Sequence, residues 1–151
     1  MKQSLFTLML LGLVACQATE SNPQTQEKEG EPNPILGTWQ LVYSSIEQGD
    51  SLQIKDFSRT QFIKIINETH FAFFNQSDSS AEGFYAGAGT YTLEGTDYQE
   101  TLSFIASPEW RNSHFEFKLE FRGDTLVQFG EEDVPEAGIK RHIVEKYFRV
   151  E

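Results

Sequence analysis

Apolar and polar side chains alternate along most of the chain beyond residue 35, as expected for strands that bury one face. The clearest run covers residues 113–121, where apolar and polar or charged side chains exchange at every position. The apolar set is Phe115, Phe117, Leu119 and Phe121, and the intervening set is His114, Glu116, Lys118 and Glu120. This contrast predicts that the phenylalanine face points inward.

Runs of this kind predict eight strands joined mostly by links of hairpin length. They cover residues 35–43, 61–66, 70–76, 84–93, 97–105, 113–121, 125–129 and 140–150. Eight antiparallel strands in chain order, most with one apolar face, favour a closed up-and-down barrel. The alternative is an open sandwich, although its Greek-key crossings usually need longer connections.

The first strand also carries a resemblance to a known group of proteins. It reads Gly37-Thr38-Trp39-Gln40-Leu41-Val42-Tyr43, with Trp39, Leu41 and Tyr43 on one predicted face. This stretch resembles the opening strand of the calycins, which include the lipocalins and the intracellular fatty-acid-binding proteins. From about residue 35 to its end, the chain resembles uncharacterised lipocalin-like lipoproteins of Bacteroidetes-type bacteria. The resemblance implies an eight-stranded lipocalin-like barrel, and its fatty-acid-binding members imply a helical lid at residues 46–60. Those residues have no clear period themselves, so a plain loop is the alternative.

The N-terminus has the pattern of a lipoprotein signal peptide. Lys2 precedes an apolar run over residues 5–14, which is too short to span a bilayer. The run ends in Leu13-Val14-Ala15-Cys16, which resembles the lipobox of bacterial lipoproteins. That resemblance implies cleavage before Cys16 and lipid on its sulfur and new amino terminus. The alternative is an ordinary secretory signal or a buried thiol.

Composition then divides the chain into three parts. Residues 17–33 are polar and hold no large apolar side chain, which predicts a flexible tether. We therefore expect a signal peptide at 1–15, a lipidated cysteine and tether at 16–33, and a barrel domain at 34–151.

Net charge limits the partners that we expect. The chain has 23 acidic and 12 basic residues, a net charge of −11, without a basic stripe. Such a domain does not attract nucleic acid or anionic lipid headgroups. Membrane attachment is therefore expected through acyl chains on Cys16, and the resemblance implies the outer membrane of a bacterial envelope.

One carboxylate shares a face with apolar residues. The same contrast predicts that Tyr98, Leu102 and Phe104 point inward in the strand at 97–105, and Glu100 shares their face. Burying this carboxylate is costly unless it is paired. We expect Glu100 to lie near a barrel mouth or to meet a cation from the last strand.

The last strand has no clean apolar face. One face holds Arg141, Ile143, Glu145, Tyr147 and Arg149. Fatty-acid-binding proteins hold a ligand carboxylate with an arginine and a tyrosine two residues apart on their last strand, although here their order is reversed. In the lipocalins, an arginine late in the last strand covers the tryptophan of the first strand, which corresponds to Trp39 here. The resemblance thus leaves Arg149 as either a ligand clamp with Tyr147 or a closure of the barrel over Trp39.

Glycines and aromatic residues leave the filling of the barrel open. Gly87 and Gly89 mark either a barrel corner or a ligand against bare backbone, and Tyr85 and Tyr91 share their face. The 13 Phe, 5 Tyr and 2 Trp could pack the lumen solid or line a cavity. The ligand-binding candidates are Tyr85, Tyr91, Tyr98, Glu100, Phe115, Phe117, Tyr147 and Arg149, and the closure pair is Trp39 and Arg149.

No sequence motif points to catalysis or to a cofactor. The three histidines lie on different predicted strands, and no zinc signature, phosphate-binding glycine loop or Gly-x-Ser-x-Gly motif is present. Glu100 is the only plausible acid or base. We expect a non-enzymatic carrier or sensor of a small apolar or fatty-acid-like ligand, with no metal. The alternative is a protein–protein interaction module of the envelope with a solid-packed barrel, docking through residues 131–136 and 46–60.

Overall fold

A computed structural model describes residues 33–150, so the expected signal peptide, Cys16 and all but the end of the expected tether lie outside the described residues. Within these described residues, nine strands and two single-turn 3-10 helices follow one another. The strands are β1 Gly37–Gln48, β2 Ser51–Ile54, β3 Thr60–Ile66, β4 His70–Ser77, β5 Tyr85–Glu94, β6 Asp97–Ile105, β7 Ser113–Arg122, β8 Thr125–Val134 and β9 Ile139–Arg149, and the 3-10 turns are Pro108–Trp110 and Pro135–Ala137. Within residues 33–150, no helix is long and apolar enough to cross a membrane.

The strands form one antiparallel sheet that closes on itself. From β3 to β9 each strand pairs with the next, β1 pairs with β3, and β1 also pairs with β9. This is an eight-stranded up-and-down barrel with β2 as one extra strand, which confirms the predicted fold. Closure leaves the barrel strands without free edges.

Residues 46–60 were predicted as a helical lid or a plain loop, and both expectations are wrong. The chain instead turns back after β1, and β2 pairs with the last four residues of β1, from Ser45 to Gln48. This pairing satisfies backbone groups of β1 beyond the point where β3 leaves it. After β2, Phe57 returns to pack against the core.

Two bulges change which side chains face inward. In β1, Leu41 pairs with Tyr147 and Tyr43 pairs with Lys146, so Val42 is an extra residue. The extra residue reverses the alternation, and Tyr43 lies outside under the Lys146 ammonium, 4.7 Å from its ring centroid. Trp39 and Leu41 therefore share the inner face, and the prediction that Tyr43 lies on the same face is wrong.

The second bulge lies in β6. Gly89 pairs with Leu102 and Ala88 pairs with Phe104, which leaves Ser103 without a partner. Phe104 is consequently 69% exposed, whereas it was predicted to point inward. A Cβ on Gly89 would lie 1.8 Å from the Thr101 carbonyl oxygen, so the close approach of β5 to the bulged strand requires glycine there.

One end of the barrel is closed around Trp39. Its side chain is fully buried, and its Nε1 donates a hydrogen bond to the Ile35 carbonyl at 2.8 Å. The Arg149 guanidinium lies over the indole, 4.1 Å from the ring centroid, and donates to the Leu36 and Pro34 carbonyls at 2.6 Å each. Arg149 thus ties the segment before β1 to the end of β9.

Candidate functional site: the barrel cavity

The other half of the barrel encloses a cavity of about 340 Å³, which we call the barrel cavity. The connection from β6 to β7 borders it at Ser107 and Trp110. Seven of its lining residues are aromatic: Phe62, Phe73, Tyr85, Trp110, Phe115, Phe117 and Tyr147. The lumen is therefore not packed solid, and its volume lies at the small end of the range for ligand sites.

Lys64 is the central polar residue of the cavity. β3 places it between Phe62 and Ile66 on the inner face, and its side chain is 4% exposed. Its ammonium forms a salt bridge with Glu100 and donates a hydrogen bond to the Gln128 Oε1 at 3.0 Å. Glu100 therefore meets a cation, as expected. We expected this cation to come from the last strand, but it is Lys64 of β3.

Aromatic rings complete the surroundings of the Lys64 ammonium. The ring centroids of Phe71, Tyr98 and Tyr147 lie 5.1, 5.2 and 5.7 Å from its nitrogen. A buried ion pair needs such additional partners, because the desolvation of two charges offsets most of their mutual attraction. The pair thus fixes one arrangement of side chains across β3, β6 and β8.

A second ion pair lies at the cavity wall between β8 and β9. Arg141 Nε and Glu132 Oε2 are 2.5 Å apart, with side chains that are 24% and 15% exposed. The Arg141 guanidinium also lies 5.4 Å from the Trp110 ring centroid. Burial raises the pKa of the Glu132 carboxyl, and the charge and hydrogen bond of Arg141 oppose that shift.

Glu145 is the third carboxylate in the cavity wall. Antiparallel pairing puts it beside Gln128 of β8 and Ser44 of β1. Its Oε2 accepts a hydrogen bond from the Tyr147 hydroxyl at 2.5 Å. Burial raises the pKa of the Glu145 carboxyl to about 7, while the Tyr147 hydrogen bond and the Lys64 charge act to lower it. Burial and the neighbouring Glu145 charge hold the pKa of Tyr147 well above its usual value.

Five of the predicted ligand-binding residues line this cavity: Tyr85, Glu100, Phe115, Phe117 and Tyr147. Tyr91, Tyr98 and Arg149 do not. Tyr91 donates its hydroxyl hydrogen bond to the Asn67 carbonyl at 2.8 Å, close to the β3–β4 turn. Arg149 lies at the closed end of the barrel, so the structure does not bring it together with a ligand site at Tyr147.

Tyr98 is fully buried beneath the cavity. Its ring contacts that of Tyr91, with the centroids 5.4 Å apart, and its hydroxyl has no hydrogen-bond partner among residues 33–150. Burial first, and then the charge of nearby Glu100, raises the pKa of this phenol well above its usual value. Tyr98 therefore remains neutral and supports the Lys64–Glu100 pair from below.

Sequence reasoning missed several polar residues of the cavity: Lys64, Gln128, Glu132, Arg141 and Glu145. Lys64 alternates with apolar residues, but Ile63 and Ile65 make the opposite face of β3 equally apolar, so the pattern did not indicate which face was buried. The sequence feature that could have indicated an inward position for Gln128 is its place between Leu126 and Gly130 on one face of a strand.

The backbone at Gly87 and Gly89, where we considered a ligand against bare backbone, is covered by protein. A Cβ on Gly87 would lie 2.4 Å from the Phe73 Cζ, which shows that the Phe73 ring covers this glycine. The bare backbone of β5 thus supports an aromatic wall residue and is not itself open to a ligand.

A larger groove of about 790 Å³ crosses the outer faces of β5 to β9 and includes His114 and His142. Two pairs of its polar side chains are bonded to one another: Lys118 with Asp97, and His142 with Glu131, where the His142 Nδ1 lies 3.1 Å from the Glu131 Oε1. In the part of the chain that the structure describes, no cluster of three His, Cys, Asp or Glu side chains suits a metal ion. The barrel cavity, with its buried charges, is therefore the better candidate.

No protein-family model, curated protein or solved structure matches this chain.

Proposed function

We propose that this protein is a lipid-anchored, lipocalin-like barrel of the bacterial cell envelope that binds a small, largely apolar molecule. The single observation that carries this proposal is the barrel cavity, where aromatic walls surround a few convergent polar side chains. Ligand sites are commonly built in this way, because apolar walls supply binding energy and polar groups supply orientation.

Two of the three cavity carboxylates are held by cations, which favours a non-enzymatic carrier or sensor over an enzyme that would use them as acid or base. Glu100, which was the plausible acid or base in the sequence, is held by Lys64, and Glu132 is held by Arg141. A general acid or base must form a hydrogen bond with the substrate, so Lys64 and Arg141 would first have to release these carboxylates. Paired charges of this kind shape a rigid cavity wall.

Two features support the lipocalin-like and lipoprotein parts of the proposal. Arg149 lies over Trp39 at the closed end, as the resemblance to the lipocalins implies for a closure arginine. The lipobox-like Leu13-Val14-Ala15-Cys16 precedes a polar stretch with a reach of roughly 20 Å if it behaves as a coil.

The anchor is tested by Cys16→Ser in the full-length chain. Acyl chains on Cys16 would provide the membrane attachment, so we expect the variant to leave the membrane fraction with its barrel folded. A variant that stays membrane-bound after a salt wash would refute lipidation at this residue.

Ligand binding is tested with the two tryptophans, since only Trp110 lines the cavity and Trp39 lies buried at the closed end. A panel of small apolar compounds is titrated into the full-length chain by calorimetry and fluorescence. A compound in the cavity should change the Trp110 emission, and Trp110→Phe should remove that change while heat of binding remains. Absence of binding across the panel, or binding without any change in Trp110 emission, would defeat the proposal.

A second candidate function is docking of another envelope protein, favoured by an apolar outer face on β3 to β6. Antiparallel pairing joins its members in two rows, Ile63–Phe74–Ala86 and Ile65–Ala72–Ala88–Phe104. Phe74 and Phe104 are 43% and 69% exposed. The chain is strongly acidic, so the complementary partner would be a protein with an apolar patch and a basic rim. The solid-packed barrel that accompanied this alternative is not observed.

Crosslinking in intact cells from position 104 tests this candidate. One dominant protein with such a basic, apolar surface should be captured, and Phe74→Ser should abolish its capture while the exposed control Thr92→Ser should not. Capture that is indifferent to Phe74→Ser would count against docking at this face.

A further inference from the structure

The barrel cavity contains more carboxylates than cations. Its charged lining consists of Glu100, Glu132 and Glu145 against Lys64 and Arg141. Lys64 is already bonded to one carboxylate and Arg141 to another. Glu145 is the carboxylate that remains.

Glu145 has only a neutral partner in the described structure. The Tyr147 hydroxyl donates to its Oε2, and within residues 33–150 it forms no salt bridge and accepts no other side-chain hydrogen bond. An ionised carboxylate in a low-dielectric site is costly unless a cation or several donors compensate it. Because Glu145 lines the cavity, a ligand can supply that cation.

We propose that the barrel cavity takes a small amine, whose ammonium group pairs with Glu145 and whose apolar body lies against the aromatic walls. This rests on the proposed ligand-binding function and specifies the chemical class of the ligand. The volume of about 340 Å³ limits the body to roughly one ring and a short chain.

The same charges argue against a fatty acid. A ligand carboxylate would add a fourth negative charge beside Glu100, Glu132 and Glu145. Both cations of the lining, Lys64 and Arg141, already bind a carboxylate. Lys55 lies outside the lining, and its ammonium donates to the Asn75 Oδ1 and to the Tyr85 hydroxyl. A ligand ammonium instead supplies a third positive charge, which balances the three carboxylates of the cavity lining. It also gains from the faces of the aromatic wall, because cations are attracted to ring faces.

Binding should depend on pH through Glu145. Burial raises the pKa of its carboxyl to about 7, whereas an alkylammonium stays protonated well above that pH. The charged and titratable groups that face it are Lys64 of β3, Glu100 of β6, Glu132 of β8, and Arg141 and Tyr147 of β9. Since only the ionised carboxylate pairs with an ammonium, affinity should rise about tenfold from pH 6 to pH 8, in proportion to the ionised fraction.

The experiment uses three probes that share one ring: 2-phenylethylamine, 2-phenylethanol and 3-phenylpropanoate. Calorimetry on the full-length chain at pH 6 and pH 8 compares wild type, Glu145→Gln and the control Glu116→Gln, whose side chain is exposed on the outside of β7. At pH 8 we expect wild type and Glu116→Gln to bind the amine at least tenfold more tightly than the acid. Glu145→Gln should lose that preference and the pH dependence.

The outcomes separate this inference from the proposed function. Equal binding of all three probes by wild type, or an amine preference that persists in Glu145→Gln, overturns the amine inference and leaves the cavity as a ligand site. Failure of every probe, together with a wider apolar panel that leaves Trp110 emission unchanged, overturns both. The wild-type comparison of amine with acid stands even where Glu145→Gln is poorly folded.

Discussion

Replacing Glu145 by Gln should stabilise the barrel at alkaline pH and have little effect at acid pH. The pKa of the Glu145 carboxyl is raised to about 7 in the folded protein, from 4.5 for an ordinary glutamate. Between about pH 4.5 and pH 7, the Glu145 carboxyl is therefore protonated in the folded state and ionised in the unfolded chain. Consequently the free energy of unfolding falls as pH rises from 4.5 to 7, and it stays low above that range.

The magnitude follows from the width of that range. A shift of about 2.5 pH units corresponds to roughly 3 kcal/mol, at 1.36 kcal/mol for each unit. Gln has nearly the same shape and no charge to lose, and its carbonyl can accept the hydrogen bond from Tyr147. We expect Glu145→Gln to gain about 3 kcal/mol over wild type between pH 4 and pH 8. The Glu132 carboxyl also has a raised pKa, and its charge contributes to the shift at Glu145, so the difference between the two proteins includes the coupling of these two carboxyls.

Urea unfolding followed by tryptophan fluorescence at pH 4, 6 and 8 measures this difference. Glu116→Gln serves as the matched control, since it makes the same chemical change at an exposed position, and its difference from wild type should be flat. A flat difference for Glu145→Gln as well would show that the Glu145 carboxyl is solvated like a surface group, and the reasoning from burial would fail.

The remaining predictions concern stability elsewhere in the barrel. Lys64→Met leaves Glu100 buried without its cation and should lower the free energy of unfolding by about 3–5 kcal/mol in urea titrations. Adding Glu100→Leu should restore most of the lost stability. A double variant as unstable as the single one would contradict the pairing. Arg149→Met loses two hydrogen bonds and the contact with Trp39, so it should cost about 1–3 kcal/mol in thermal melts. Its affinity for cavity ligands should not change, and a selective loss of affinity would show that Arg149 is a clamp. Gly89→Ala forces the bulged strands apart and should cost about 1–3 kcal/mol in the same melts, whereas an unchanged melting temperature would mean that the close approach is not rigid.

The strand pattern and closure of the fold were predictable because hairpins repeat a local signal. The alternation at residues 113–121 corresponds to β7, with Phe115, Phe117 and Leu119 buried. Face assignments held as long as a strand kept strict alternation. They failed beyond Val42 and Ser103, because an inserted residue moves every later side chain to the other face, and neither residue type marks a bulge.

The polar part of the site could not be derived from any one strand. Lys64, Glu100 and Gln128 come from β3, β6 and β8, so their contact depends on how far each strand is shifted along its neighbours. Each residue alone looks like a polar interruption of an apolar face. Their mutual pairing offsets the desolvation cost of burying them. Which residues pair across a closed barrel is determined by strand register and not by local sequence.

The bulge at Val42 also determines the space beside Glu145. Strict alternation from Trp39 through Leu41 would turn Tyr43 inward, but the extra residue turns it out and brings Ser44 to the inner face. Ser44 pairs with Glu145, so a small hydroxyl stands where periodicity would have put a phenol ring. A ring at that place would fill the lumen next to the carboxylate and offer it a neutral partner from the protein. The bulge leaves Glu145 facing open space, and this local irregularity is what makes a ligand cation the fitting partner.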